Sequence, residues 1–295
     1  MPGSETPTAS RTQTLKVCKN GPSRSVCMDL TDRTELRALL ARHGITLAKT
    51  YGQHFLVDRR VLEMIVETAF PIPYTLFPIP LVFEVGPGAG TLTRELAARA
   101  GRVIAVERDP RFLPVLEETL SEFGNVQIIE ADALKISFSQ LTPPYTLDPR
   151  PYTLVSNLPY EITTPFLWKI LEEEPVVPAQ AVLLIQADVA ERILAKPPKM
   201  NLLALLVQLS GEVKLVRKVP ASAFFPPPRV QSAIIEIIPR LDIRQAPSAK
   251  RQALSLARRA FANPRKKLGN TLGNQAGRFA ARRPGELGVE DWLEL

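Results

Sequence analysis

Val82-Phe83-Glu84-Val85-Gly86-Pro87-Gly88-Ala89-Gly90-Thr91-Leu92-Thr93 is an apolar strand that runs into a glycine-rich turn and then into a helix start. Glycine lets the backbone bend sharply and approach a bound molecule closely, so Gly86, Gly88 and Gly90 are read as the pivots of this turn. Tight strand-to-helix loops without any ligand use the same residues. The function therefore has to be read from what the neighbouring strands bring to the same edge. On either side the sequence alternates short β-rich runs with helical ones. Strands are expected at Leu81–Val85, Val103–Glu107, Val126–Glu130, Tyr152–Ser156 and Ala181–Gln186, a pattern that predicts a mostly parallel, doubly wound α/β sheet. Val213–Val219 and Ala233–Ile238 add an edge hairpin and complete seven strands.

Ahead of the sheet, Thr31 or Asp32 caps a helix that Gly44 stops, and Arg59 to Ala69 forms a second helix. Residues 1–28 are rich in Ser, Thr, Pro and Gly without apolar periodicity and are expected to be a disordered extension, with Met28 a candidate start of the working protein. Residues 29–240 then form the main α/β domain and residues 241–295 a small, basic, helical one. The tetrapeptide P-Y-T-L recurs at Pro73, Pro144 and Pro151 and reads as loop expansion.

Composition removes several classes of function. The chain has 295 residues, 45% of them hydrophobic, and no apolar run of membrane-spanning length, so a core-forming cytoplasmic protein without membrane contact is expected. Its acid-poor opening also has some likeness to an organelle transit peptide. Cys18 and Cys27 both precede the first patterned segment, which leaves no thiol for a zinc site or a nucleophile, and no metal is expected. With only His43 and His54, histidine catalysis is not expected either. The net charge of +7 is unevenly placed: Arg244 to Arg283 holds eleven Lys and Arg and no acid, while the rest of the chain has more acid than base. A basic face at one end suggests docking onto nucleic acid, with Arg265, Lys266 and Lys267 as the candidate contacts. Closing a helix C-terminus is the alternative role for those three.

The acids sit at strand ends. Twenty-one residues after Gly86 the second strand ends in Glu107, where α/β nucleoside-binding proteins place a carboxylate to accept both ribose hydroxyls. The third strand leads to Asp132, positioned to accept from an adenine amine. Each acid alone would serve as a helix cap; together on one rim they point to a nucleoside cofactor. The order G-P-G-A-G, in place of G-x-G-x-x-G, disfavours a pyrophosphate and therefore NAD. S-adenosyl-L-methionine has no pyrophosphate.

The fourth strand ends in Asn157-Leu158-Pro159-Tyr160. The lone pair of an adenine N6 is delocalised into the ring, so a catalyst has to make it available. Accepting one N–H on the Asn157 side-chain oxygen and the other on the Leu158 carbonyl favours a pyramidal nitrogen, with Pro159 stiffening the turn and Tyr160 stacking on the base. The nitrogen becomes acidic only as the methyl group arrives, so its proton can leave to water without a strong base. A plain proline turn is the bland reading of the same four residues.

With Y-G-Q-H-F-L-V-D, E-V-G-P-G-A-G-T-L-T, V-E-R-D, N-L-P-Y, P-A-S-A-F-F-P-P-P-R-V-Q-S-A and N-P-R-K-K-L-G-N-T-L in this order, the chain from about Thr31 to Asn274 resembles the ribosomal RNA adenine dimethyltransferases. The resemblance implies a Rossmann-like methyltransferase sheet and a cofactor pocket formed by His54, Leu56, Gly86, Gly88, Glu107, Asp132 and Asn157. It further implies that Phe224 stacks on the target base opposite Tyr160, with Phe225 as the fallback. The implied partners are small-subunit ribosomal RNA and the assembling 30S-type subunit, met by a monomer. The chain departs from the family in two places. His54 stands where asparagine is common, and Lys199-Met200-Asn201-Leu202 replaces a Tyr-Gly-containing turn. Two rival readings share the fold: a large-subunit RNA adenine methyltransferase of the macrolide-resistance type, and a non-catalytic RNA-binding or transcription factor.

Overall fold

The computed structural model describes residues 28–46, 54–71, 81–141, 152–240 and 247–295. The expected N-terminal extension lies outside the described residues except for Met28. The P-Y-T-L copies at Pro73 and Pro144 also lie outside, and the third leads into a strand.

Asp32 caps α1 (Arg33–Arg42) by accepting from the backbone of Thr34 and Glu35, and Asp58 caps α2 (Arg59–Ala69) in the same way. Between them stands a two-residue strand, β1 (Phe55–Leu56). The main sheet contains β2 (Leu81–Val85), β3 (Arg102–Glu107), β4 (Val126–Glu130), β5 (Tyr152–Asn157), β6 (Gln180–Gln186), β7 (Gly211–Val219) and β9 (Ser232–Pro239), with β8 (Phe224–Phe225) standing apart from it. Its order is β4-β3-β2-β5-β6-β9-β7; the first five strands are parallel, and β9 joins β6 and β7 antiparallel. The expected edge hairpin is this β7–β9 pair. The chain between its strands makes an excursion in which β8 pairs antiparallel with β1, setting Phe55 opposite Phe225 and Leu56 opposite Phe224.

Helices cover both faces, which is why the parallel strands are apolar along most of their length. Val82, Val103, Val155 and Val182 pack with α2 and with α3 (Thr91–Ala97). Phe83, Val85, Leu154 and Leu183 face the other layer, which includes α5 (Thr163–Trp168), α6 (Ala187–Ile193) and α7 (Leu202–Ser210). A third cluster joins α1 to α4 (Leu113–Thr119) beside Ala105.

The C-terminal part contains α8 (Pro247–Phe261), α9 (Leu268–Leu272) and α10 (Val289–Glu294). α8 buries Ala253, Ala257 and Ala260 on one side and exposes Arg258 and Arg259 on the other. Trp292 is fully buried near Phe261, and these residues share one continuous apolar cluster with Phe83 and Leu154 of the sheet. The departure at Lys199–Leu202 has a structural role here. Asn201 caps α7 through the Ala204 N–H, Met200 is buried, and its N–H donates to the Gly285 carbonyl, tying α7 to the C-terminal helices.

Candidate active site

Strand order reverses between β2 and β5, and in open α/β sheets a crevice opens at the C-terminal ends of the strands where this happens. Here β2 and β5 pair only as far as Phe83 and Leu154. Beyond that point the two strands are held by the buried Ser156 hydroxyl, which donates to the Val85 carbonyl at 2.6 Å. Above this bond lies a cavity whose lining includes His54, Leu56, Gly86, Gly88, Glu107 and Asn157 through Tyr160.

The glycine turn makes room for the cavity. Gly86 and Gly88 have φ of +69° and +57°, and a Cβ on either would stand 3.0 Å from the Pro159 ring or 3.2 Å from the Phe55 ring. Glu107 is 6% exposed. Its two carboxylate oxygens accept the Gly88 N–H at 3.2 Å and the Asp109 N–H at 2.8 Å, so the acid also braces the turn. Burial raises its pKa above the ordinary glutamate value against the opposing pull of these N–H groups.

Asn157 terminates β5, and its amide nitrogen donates to the His54 carbonyl at 3.2 Å. A carbonyl can only accept, so this bond fixes which end of the amide is nitrogen and leaves the oxygen as an acceptor. His54 is itself held by a 2.8 Å bond from its Nδ1 to the Pro226 carbonyl, and its ring lies 6.0 Å from that of Tyr160. The Tyr160 hydroxyl meets the Ser232 hydroxyl at 2.6 Å, which fixes the ring at the cavity edge. Burial also raises the Tyr160 pKa, so the phenol is neutral at physiological pH.

Three of the expected residues stand elsewhere. Asp132 lies just past β4, half-buried, and caps its own turn by accepting the Leu134 N–H at 3.0 Å; it does not line the cavity. Phe224 is fully buried in the apolar layer with Leu56 and α2, because strand pairing with β1 turns it inward, and it offers no face to a base in this structure. Phe225 is partly exposed, with the Arg37 guanidinium 5.1 Å from its ring centroid, and it does not line the cavity either.

Glu84 is the cavity residue that sequence reasoning missed. It is 1% exposed, its Oε2 has no hydrogen-bond partner, and its pKa is pushed up to about 8, first by burial and then by Glu107, against the Thr93 hydroxyl. The available signal was a carboxylate inside the apolar run V-F-E-V, where a parallel strand buried on both faces has no solvent to offer it.

In the C-terminal part, Arg265, Lys266 and Lys267 are exposed in the turn between α8 and α9 and make no ion pair among the described residues. Their neighbours are occupied. Arg278 pairs with Glu294, Arg282 lies 3.6 Å from Asp291, and Arg258 stacks over Trp168 at 4.4 Å.

The cavity chemistry fits S-adenosylmethionine. Backbone approaches without Cβ atoms, an acid is present for ribose hydroxyls, an orphaned buried carboxyl oxygen suits a cationic ligand, and among the described residues no Lys or Arg lines the cavity to hold a pyrophosphate. The sheet order and this crevice define a Rossmann-like methyltransferase. The chain belongs to the ribosomal RNA adenine dimethylase family, whose model matches residues 44–287. It is 38% identical to the ribosomal RNA small subunit methyltransferase A of Shouchella clausii over 85% of this chain and 84% of that one. It is also 38% identical to the protein of that name from a strain of Dehalococcoides mccartyi, over 88% and 91%. Among solved structures it is similar to a dimethyladenosine transferase from Plasmodium falciparum, with TM-score 0.65, 24% identity and 82% and 95% of the two chains covered. It is similar too to the 23S rRNA methyltransferase ErmE, with TM-score 0.64, 29% identity and 81% and 96% covered.

Proposed function

We propose that the protein is a cytoplasmic, monomeric enzyme that dimethylates N6 of two adjacent adenines in a 3′-terminal hairpin of small-subunit (16S) ribosomal RNA within the assembling subunit. The observation that carries this reading is the Asn157 amide, turned by its bond to the His54 carbonyl so that its oxygen is free to accept at the cavity edge. The names and extents of the curated relatives favour small-subunit RNA over the large-subunit substrate named for ErmE.

S-adenosylmethionine supplies an electrophilic methyl group when bound. Glu107 accepts the ribose hydroxyls with the acceptor capacity left beside its two backbone donors, while Gly86, Gly88, His54 and Leu56 shape the pocket. Asp132, just past β4, would hold the adenine amine of the cofactor. The Asn157 oxygen and the Leu158 carbonyl accept the two N–H bonds of the target adenine, and Tyr160 supports the flipped base. The proton on N6 leaves to water, since no group of the rim among the described residues is a strong base. Residues 241–295 form the RNA-holding domain, with Arg265, Lys266 and Lys267 against phosphates of an A-form helix.

The test is to incubate the protein with small subunits lacking these methyl groups and with methyl-labelled cofactor, then map the modified bases. Label as dimethyladenine on two neighbouring adenines near the 3′ end is the expected result. Label only on large-subunit RNA, or cofactor binding without transfer to any RNA, would replace the proposal with one of the two rival readings.

A further inference from the structure

The mechanism above leaves Glu84 without a role, although a carboxyl that is 1% exposed and has an unpartnered oxygen in a ligand cavity is costly to keep. Among the described residues, two carboxyl groups, Glu84 from β2 and Glu107 from β3, line this cavity, and no Lys or Arg does. They are not equivalent. Glu107 has two backbone N–H donors on its oxygens, so its charge is partly compensated by fixed dipoles. Glu84 has an orphaned Oε2, and the buried hydroxyl of Thr91, another residue of the cavity lining, also lacks a partner. Two like charges in one enclosed site do not ionise together readily, and the less solvated member keeps its proton. Glu84 is that member.

We infer that Glu84 is the charge-responsive residue of the cofactor cavity: its carboxyl surrenders a proton to solvent when the cationic cofactor enters and regains one when the cavity empties. The inference rests on the cavity being the cofactor site. S-adenosylmethionine brings a sulfonium and an α-ammonium, and an opposite charge close by favours the ionised carboxylate. The demethylated product has a neutral thioether and lacks one of those charges, so it holds the ionised form of Glu84 less strongly and is released more readily. Glu84 does not act as the base for N6; it exchanges its proton with water on binding and release. With the cavity empty, burial and Glu107 hold its pKa at about 8, so at neutral pH the group begins protonated. Among the described residues, the other titratable groups around the cavity are Glu107, braced by backbone donors, His54 ahead of β1, and Tyr160, which stays neutral.

The test is calorimetric titration of the full chain with S-adenosylmethionine in buffers of different ionisation enthalpy, which counts protons released per ligand bound. Wild type and Glu84→Gln are compared, which removes every contribution that does not depend on Glu84. At pH 7 wild type should release most of one proton more than Glu84→Gln, as follows for a group titrating near 8, and the difference should fade as the pH is raised above that value. Equal proton counts for wild type and Glu84→Gln, both saturated with ligand, would overturn the inference. If Glu84→Gln does not fold, wild type alone decides: saturating binding at pH 7 with no proton released overturns it. Failure of wild type to bind the cofactor at all would instead refute the site assignment beneath it.

Discussion

Around the cavity, Glu84 and Glu107 are 1% and 6% exposed and among the described residues no Lys or Arg joins them, whereas at the α8–α9 turn Arg265, Lys266 and Lys267 stand in solvent without an acid partner among those residues. The rim places a few groups with fixed partners: Glu107 on two backbone N–H groups, Asn157 on the His54 carbonyl, Tyr160 on Ser232. The turn fixes no side-chain partner for its three cations and leaves their charge to the solvent. An enclosed, prearranged site selects one small ligand and one geometry. An open cationic turn recognises a polyanion by charge and shape and is sensitive to salt. Placing these two modes in separate parts of the chain means that each can be damaged without the other.

The largest expected effect concerns which side chains belong to the rim. Phe224→Ala removes a fully buried ring and should cost about 3–5 kcal/mol of stability, read as a lower denaturation midpoint, with Phe225→Ala costing much less. If Phe224→Ala keeps its midpoint and loses only RNA methylation, the ring leaves the core to stack on the base, and the role implied by the family resemblance stands. Asn157→Ala should slow methyl transfer by about 10²–10³-fold while cofactor affinity changes little, because the lost acceptor serves the reacting amine. Single-turnover rates with saturating cofactor would show this; near-normal rates would remove Asn157 from the chemistry. Glu107→Ala loses up to two charge-assisted hydrogen bonds of about 1.5–3 kcal/mol each, so cofactor binding should weaken by about a hundredfold or more by calorimetry. An unchanged affinity would mean that Glu107 only braces the turn.

Smallest at any single salt concentration is the effect of neutralising Arg265, Lys266 and Lys267 together. RNA affinity should fall and the slope of its logarithm against log salt should flatten by roughly two. Parallel salt series with equal affinities would make this turn a structural cap and place the RNA grip elsewhere.

Much of this was legible in the sequence because it rests on local, periodic or positional signals. The seven main strands follow from apolar runs bounded by turns, and the structure extends the expected bounds by two residues at most, as at Gly211 before Val213. Gly86, Glu107 and Asn157 could be placed together because parallel strands all end on one rim. What was not legible depends on pairing between distant segments. The β1–β8 ladder joins residues about 170 apart, and no periodicity within S-A-F-F announces that Phe224 turns into the core. Glu84 was passed over because it sits in the middle of a strand, and only its burial on both faces, together with an unpartnered oxygen, makes it conspicuous. Asn201 as the cap of α7 is a local signal, an asparagine directly before an apolar helical run.

The division of labour can be tested most directly by measuring both affinities, for cofactor and for small-subunit RNA, on Glu107→Ala and on the triple neutral variant of residues 265–267. The account predicts that Glu107→Ala loses cofactor binding and keeps RNA binding within about twofold, and that the triple variant does the reverse. Comparable loss of both ligands in either variant would contradict it, because the two sites would then be one.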